Sequence, residues 1–220
     1  MMDRFIIRAA TVHDAPFLAE AIIEAEKSGT DKLSYSTIFN LSEDDVRKYL
    51  INILEEEIDG CELSVSSFIV AEFDGKAVAA LSAWVEGLED VPSTIIKANL
   101  LNFTLPKECI VRAMSLNEVI RELHVEYLPK TIQIGACYVK NEFRGNRLLG
   151  ILNKQIITRL LKENPDVNSV WVQIFSCNIS SLKAFEKAGY TVVTTRESSK
   201  KEIENYLPSN KKHVLTKNFK

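Results

Sequence analysis

The sequence predicts a mixed α/β (α+β) domain on three observations. Short β-rich runs alternate with stretches whose apolar residues recur at helical i, i+3/i+4 spacing. Two of the β-rich runs, Ser67–Phe73 and Lys76–Trp84, are joined by Asp74-Gly75, the dipeptide favoured in a two-residue type I′ turn. Hydrophobic residues make up 46% and charged residues 26% of the chain, which suits an ordinary core and excludes a disordered or collagen-like polymer. A length of 220 residues fits one domain, 1–220, carrying an insertion, better than two full-sized enzyme domains.

Residues Phe5 to Arg8 make the first strand. A helix starts at Thr11 or Asp14; Pro16 suits a first turn capped by Asp14, and Phe17, Leu18, Ala21, Ile22 and Ala25 define a buried face that ends before Gly29. After a polar stretch from Ser28 to Asn40, Ser42 caps a second helix whose face is Val46, Leu50, Ile53 and Leu54, up to Gly60. The hairpin follows. Pro92, Pro106 and Pro129 then punctuate segments such as Ser93–Asn99 and Ser115–Leu128, so 88–130 reads as a mostly helical insertion. Thr131 to Val139 is a strand, Lys140 to Asn146 a polar turn, and about Arg147 to Glu163 a helix that Pro165 prevents from continuing. Val170–Phe175 is a strand, Ser180–Ala188 a short helix stopped by Gly189, and Tyr190–Thr195 a strand. A charged loop with a short helix, Glu197–Lys212, leads to His213–Phe219, expected as a final edge strand.

A net charge of −3 does not favour a polyanionic partner, so no nucleic acid is expected. Cys61, Cys109, Cys137 and Cys177 form no CxxC pair, and His13, His124 and His213 no cluster, so free thiols and no metal are expected. No stretch approaches the roughly 18 apolar residues of a membrane span, and no apolar leader follows the first eight residues. A cytoplasmic protein with no membrane partner is the expectation.

The passage from Cys137 to Gly150 runs strand, basic glycine-containing turn, amphipathic helix. The first turn of a helix leaves N–H groups unpaired and carries partial positive charge, to which Arg144 and Arg147 add full charges, so the passage suits an anion such as a pyrophosphate. The same residues also fit a plain solvated helix start. Neither GxxxxGK[ST] nor GxGxxG occurs, so a P-loop or dinucleotide fold lacks its key residues.

The order of elements and this turn together resemble the GNAT acetyltransferase superfamily, in which a strand ending in Val precedes Arg/Gln-x-x-Gly-x-Gly/Ala and the amides of that turn hold the pyrophosphate of acetyl-CoA. Here Val139 precedes Arg144, Gly145, Asn146, Arg147, Leu148 and Leu149, with Gly150 next. Arg147 and Leu149 stand where the family has its glycines; amide donation does not need glycine so long as φ stays helical. A second block is similar to the family's Asn-x-x-Ala, Tyr-Glu-Lys-x-Gly-Phe segment: Val172 to Asn178, then Ser181, then Phe185 to Tyr190. Asn178 falls on the asparagine that approaches the pantetheine arm and Ser181 on the small helix residue. By composition alone Asn178 is equally an N-cap, and Phe185 and Tyr190 equally core residues. The resemblance covers residues 5–87 loosely and 131–195 specifically; 88–130 lies outside it.

The resemblance implies a mostly antiparallel central sheet flanked by helices, with the strands bearing Val139 and Asn178 splayed to admit pantetheine. Cys137, Tyr138, Val139 and Phe185 thereby join the turn, Asn178 and Ser181 in the expected CoA-binding set. It implies direct transfer to an amine, with a backbone N–H near Val139 stabilising the oxyanion. Phe185 stands where the family often has a tyrosine general acid and has no proton to give, so Tyr138, Ser181 and Cys177 are alternative donors, each also readable as an ordinary strand or helix residue. No base is assigned: Glu72, Glu86, Glu122, His124 and Glu126 are candidates, each equally a surface group, and Gln133 could hold a water. The expected function is a CoA-dependent N-acetyltransferase acting on a small-molecule or peptide amine. The alternative is a non-catalytic acyl-CoA-binding regulatory module on the same fold, for which Phe185 and the two missing glycines argue. Residues 88–130 and Ser28–Asn40 are expected to shape the acceptor pocket. Oligomeric state, a homodimer included, is left open.

Overall fold

In the computed structural model, which describes residues 5–219, seven strands form one sheet. They are β1 (Ile6–Ala9), β2 (Phe68–Phe73), β3 (Lys76–Val85), β4 (Ile132–Val139), β5 (Ser169–Phe175), β6 (Thr191–Glu197) and β7 (Lys211–Asn218), in spatial order β1-β2-β3-β4-β5-β7-β6. Every neighbouring pair is antiparallel except β4 and β5. The β2–β3 turn has φ of 48° at Asp74 and 77° at Gly75, the two positive values that a type I′ hairpin needs.

Period-two alternation sends the strands' side chains to two cores. Val70 and Ala80 face a core with α1 (Ala15–Lys27) and α3 (Glu43–Glu55), while Ile69, Ala71 and Leu81 face one with α7 (Leu148–Glu163). Helix α1 enters through Asp14, which accepts from the Thr11 amide at 2.9 Å and from both terminal nitrogens of Arg8. Helix α3 starts at Ser42, whose hydroxyl accepts from the Asp45 amide at 3.1 Å, and Glu43, Asp44 and Asp45 complement its dipole.

The stretch read only as polar holds a helix, α2 (Ser34–Phe39). Six residues present too few turns for periodicity to register. The insertion is helical as expected, with α4 (Ser93–Thr104), α5 (Lys107–Ser115) and the single turn α6 (Asn117–Ile120). Leu100, Leu105 and Cys109 bury against the α1–α3 core, and buried Glu86 anchors the insertion's start by accepting from the Ser93 amide at 3.0 Å and Trp84 Nε1 at 3.1 Å. The last strand corrects an expectation. β7 is not an edge strand but lies between β5 and β6, pairing Thr216 with Trp171 on one side and Thr191 on the other. The edge falls to β6, whose seven residues are all exposed; an apolar pattern reports burial but not spatial order. No helix among the described residues is long and apolar enough to cross a membrane.

Candidate active site

The parallel ladder between β4 and β5 ends at Ile134↔Val172, although both strands run on, to Val139 and Phe175. Beyond that point the sheet opens. On its other side β4 carries a bulge: Leu81 pairs with Cys137 and Ala83 with Ile134, so Gly135 and Ala136 together oppose Ser82. The Ser82 hydroxyl fills the gap by accepting from the Ala136 amide at 2.8 Å. Gly135 is required by space, since a Cβ there would lie 2.7 Å from Ser82 Oγ and 3.0 Å from the Trp84 ring. The Lys140 amide donates to Val78 O at 2.9 Å. By antiparallel alternation, the backbone groups of Tyr138 and Lys140 therefore face β3, while the Cys137 and Val139 amides face the opened side.

The turn after β4 carries Gly145 at φ 84° and Arg147 at φ 60°. The condition that φ stay helical at Arg147 is thus not met: the backbone is left-handed there, as a glycine would favour, and a residue with a Cβ occupies it. The first intrahelical bond runs from Ile151 to Arg147 O, and no protein acceptor is found among the described residues for the amides of Leu148, Leu149 and Gly150. Arg144 Nε donates to Val139 O at 3.2 Å and Asn146 Nδ2 to Phe143 O at 2.9 Å, which hold the turn's shape from within. The result is an exposed, amide-lined, doubly basic helix start, the donor set a pyrophosphate requires.

Under the opened strands lies a cavity of about 470 Å³. Gly135 and Ala136 of β4 and Gln173 and Phe175 of β5 contribute to its sheet wall, and α1, α2 and the insertion to the opposite walls, so both segments expected to shape the acceptor pocket line it. Four charged side chains reach it: Glu26 from α1, Glu62 from the segment before β2, Lys97 from α4 and Lys212 from β7. Lys97 forms an ion pair with Glu62 and lies 5.5 Å from the centre of the Tyr35 ring; Tyr127 OH donates to the second Glu62 oxygen at 3.3 Å. Lys212 donates to Gln173 Oε1 at 3.3 Å and lies over the Phe175 ring. The buried Ser34 hydroxyl, also in the wall, lies beside the Glu26 carboxyl.

Desolvation pushes the Glu26 carboxyl above the ordinary carboxylate range, and neighbouring Glu62 adds to the rise against the opposing pull of Lys97 and Lys212. Lys97 is desolvated too, but Glu62, Tyr35 and Glu26 around it outweigh that and hold it protonated. Lys212 is pushed below the ordinary lysine range by desolvation, which Glu26 offsets only in part. A carboxylate easily protonated and an ammonium easily deprotonated thus share one chamber, the pattern expected where protons are exchanged.

The residues singled out by sequence scatter differently. Tyr138 donates to Glu20 Oε1 at 2.9 Å on the α1 side of β4. Cys137 packs toward α7, where desolvation pushes its thiol up to about 12. Asn178 caps α8 (Ile179–Lys187), its Oδ1 accepting from the Ser181 amide at 3.2 Å. Phe185 is 3% exposed and packs in the α7-side core, edge-on against Tyr190 with ring centres 5.2 Å apart; Leu148 likewise buries its side chain and offers only its amide. Glu72 binds Arg8 at 2.8 Å, Glu86 the insertion, and Glu122 the Ser198 hydroxyl at 2.6 Å; of the five carboxylate and histidine candidates only His124 borders the cavity. Glu26, Glu62, Lys97, Tyr127 and Lys212 escaped sequence analysis because each sits alone among ordinary surface-type residues with no local motif. Among the described residues no cluster of three or more His, Cys, Asp or Glu could hold a metal.

No family model and no curated protein matches the chain in sequence. Solved structures match it in fold. An N-acetyltransferase from Staphylococcus aureus Mu50 is similar with a TM-score of 0.66 and 16% identity, over 96% of this chain and 100% of that one. A polyamine N-acetyltransferase from Drosophila melanogaster, which catalyses formation of N-acetylagmatine, gives 0.56 and 16% over 98% and 100%. An aminoglycoside acetyltransferase in complex with coenzyme A gives 0.51 and 17% over 97% and 94%. At these identities the likeness establishes the fold: this chain has the GNAT fold.

Proposed function

We propose that this GNAT-fold chain is a CoA-dependent N-acyltransferase, with acetyl-CoA as donor and the amine of a small molecule as acceptor. The observation that carries the reading is a desolvated carboxylate, Glu26, in a cavity that lies directly under the divergence of β4 and β5. The turn at 144–150 supplies unpaired amides and two arginines for a pyrophosphate. Acetyl-CoA supplies a thioester: the amine nitrogen bonds to the acyl carbon, the C–S bond breaks, and the thiolate leaves with the electron pair and takes up a proton, so that an ammonium and acetyl-CoA give amide, CoA thiol and one net proton. Glu26 accepts the proton that frees the acceptor's lone pair, and desolvation raises its affinity for that proton above that of an ordinary carboxylate. The Cys137 and Val139 amides face the place where negative charge develops on the carbonyl oxygen. The Lys97–Glu62 pair, with Tyr127, fixes the floor of the chamber. Phe185 takes no part in proton transfer.

Thermal unfolding with CoA, then thiol release over a panel of small amines, tests this. CoA at about 100 times its dissociation constant adds about 2.7 kcal/mol of stability, and at least one amine should release thiol in a Glu26-dependent manner. Stabilisation by CoA without release for any amine would mean a binding module and not an enzyme; no stabilisation would refute the reading outright.

A further inference from the structure

Building on that reading of the cavity, we propose that the acceptor is an amino acid-like zwitterion, its ammonium held by Glu26 and its carboxylate by Lys212. The cavity's charges divide unevenly. Lys97 and Glu62 neutralise each other, with Tyr127 on the remaining carboxylate oxygen. Glu26 and Lys212 face the same space from the helix wall and the sheet wall, and among the described residues neither has an ion-pair partner. Lys212 rests on a carboxamide oxygen and an aromatic face, which direct its ammonium but do not cancel its charge. Lys97 and Lys212 act on Glu26, and Glu26 on Lys212, only from beyond ion-pair distance, so each charge is compensated in part and a ligand bearing one charge of each sign is the complement of this pair. A plain alkylamine would satisfy Glu26 and leave Lys212 alone. A diamine would bring a second ammonium toward Lys212 or Lys97, a like-charge contact where solvent screens poorly. The Ser34 hydroxyl, 5% exposed in the same wall, lies beside Glu26 and adds a polar group to that end of the cavity. A volume of about 470 Å³ is in the range that encloses a small ligand.

The test is a calorimetric titration of the full chain, with and without saturating CoA, using ω-amino acids from glycine to 6-aminohexanoate and the alkylamines and diamines of matching length. At the best length the amino acid should bind about tenfold or more tighter than either matched amine, the scale of one charge-assisted hydrogen bond. Lys212→Gln should reduce that ratio to near one, and Lys212→Arg should keep most of it. Wild-type protein that binds the alkylamine or the diamine as tightly as the amino acid overturns the proposal, as does an unchanged ratio in Lys212→Gln; the wild-type comparison needs no variant to fold. A carboxylate on the acyl chain would use the same chemistry. Thiol release with a plain alkylamine that is faster from succinyl-CoA than from acetyl-CoA would place the anion on the donor and overturn the assignment to the acceptor. Failure of CoA to bind refutes the acyltransferase reading alone, since the titration without CoA still decides what the cavity holds.

Discussion

Replacing Arg147 by glycine and, separately, by alanine removes the same guanidinium and differs by a single Cβ. The backbone at this residue has φ 60° and ψ 18° at the start of α7. A left-handed conformation costs a residue with a Cβ about 1–2 kcal/mol, and glycine escapes that cost while losing about 0.5–1 kcal/mol to its freer unfolded chain. Arg147→Gly should therefore exceed Arg147→Ala in stability by about 0.5–1 kcal/mol, which for a chain of this size is a melting temperature higher by about 1–4 °C. Scanning calorimetry of the two variants side by side measures this with the charge change cancelled. The same pair informs on the turn's function. Loss of the guanidinium should weaken CoA in both, and the glycine variant should recover part of the loss because its amides hold the bound shape more cheaply. An alanine variant as stable as the glycine variant would refute the left-handed assignment and the account of the turn that depends on it.

Glu26→Gln should lower turnover by about a hundredfold or more, the range of general-base contributions, and should remove a rising limb in the pH profile. The carboxylate form is the active one and desolvation raises its pKa, so wild-type kcat/KM should rise with pH above the usual carboxylate range as Glu26 deprotonates. Converting both Arg144 and Arg147 to Glu should weaken CoA about tenfold or more in a titration of the folded protein. Gly135→Ala places a Cβ 2.7 Å from Ser82 Oγ, and should cost about 1–3 kcal/mol of stability in denaturant unfolding, typical of overpacking. Phe185→Tyr should bury a hydroxyl in the core and destabilise by about 1–3 kcal/mol with no gain in rate; a rate increase of about a hundredfold would mean that the side chain reaches the leaving thiolate after all.

Much of the fold was legible because its signals are local. Asp74-Gly75 specified a turn by its own dihedral preferences, Ser42 a helix start by its hydroxyl, and Val46, Leu50, Ile53 and Leu54 a buried face by period alone. The passage from β4 through Arg144 to α7 was legible for the same reason: a strand, a basic turn and a helix start are contiguous, and free amides are a property of any helix start. Asn178 shows the limit of such arguments, since its capping bond to Ser181 is what local chemistry predicts of an asparagine at any helix start.

The sequence by itself therefore determined the longer helices such as α1, α3 and α7, the hairpin, the turn after β4 and the resemblance that rests on them, each set by residues within a few positions of one another. Tertiary structure alone decided the rest. It placed β7 between β5 and β6, forced φ positive at Arg147, sank Phe185 into the core, and ended the β4–β5 ladder at Ile134. It also brought Glu26, Glu62, Lys97 and Lys212 from four separate elements into one chamber. The physical reason is that a charge acquires its chemistry from desolvation and from the neighbour that does or does not neutralise it, and both are contributed by segments distant in the chain.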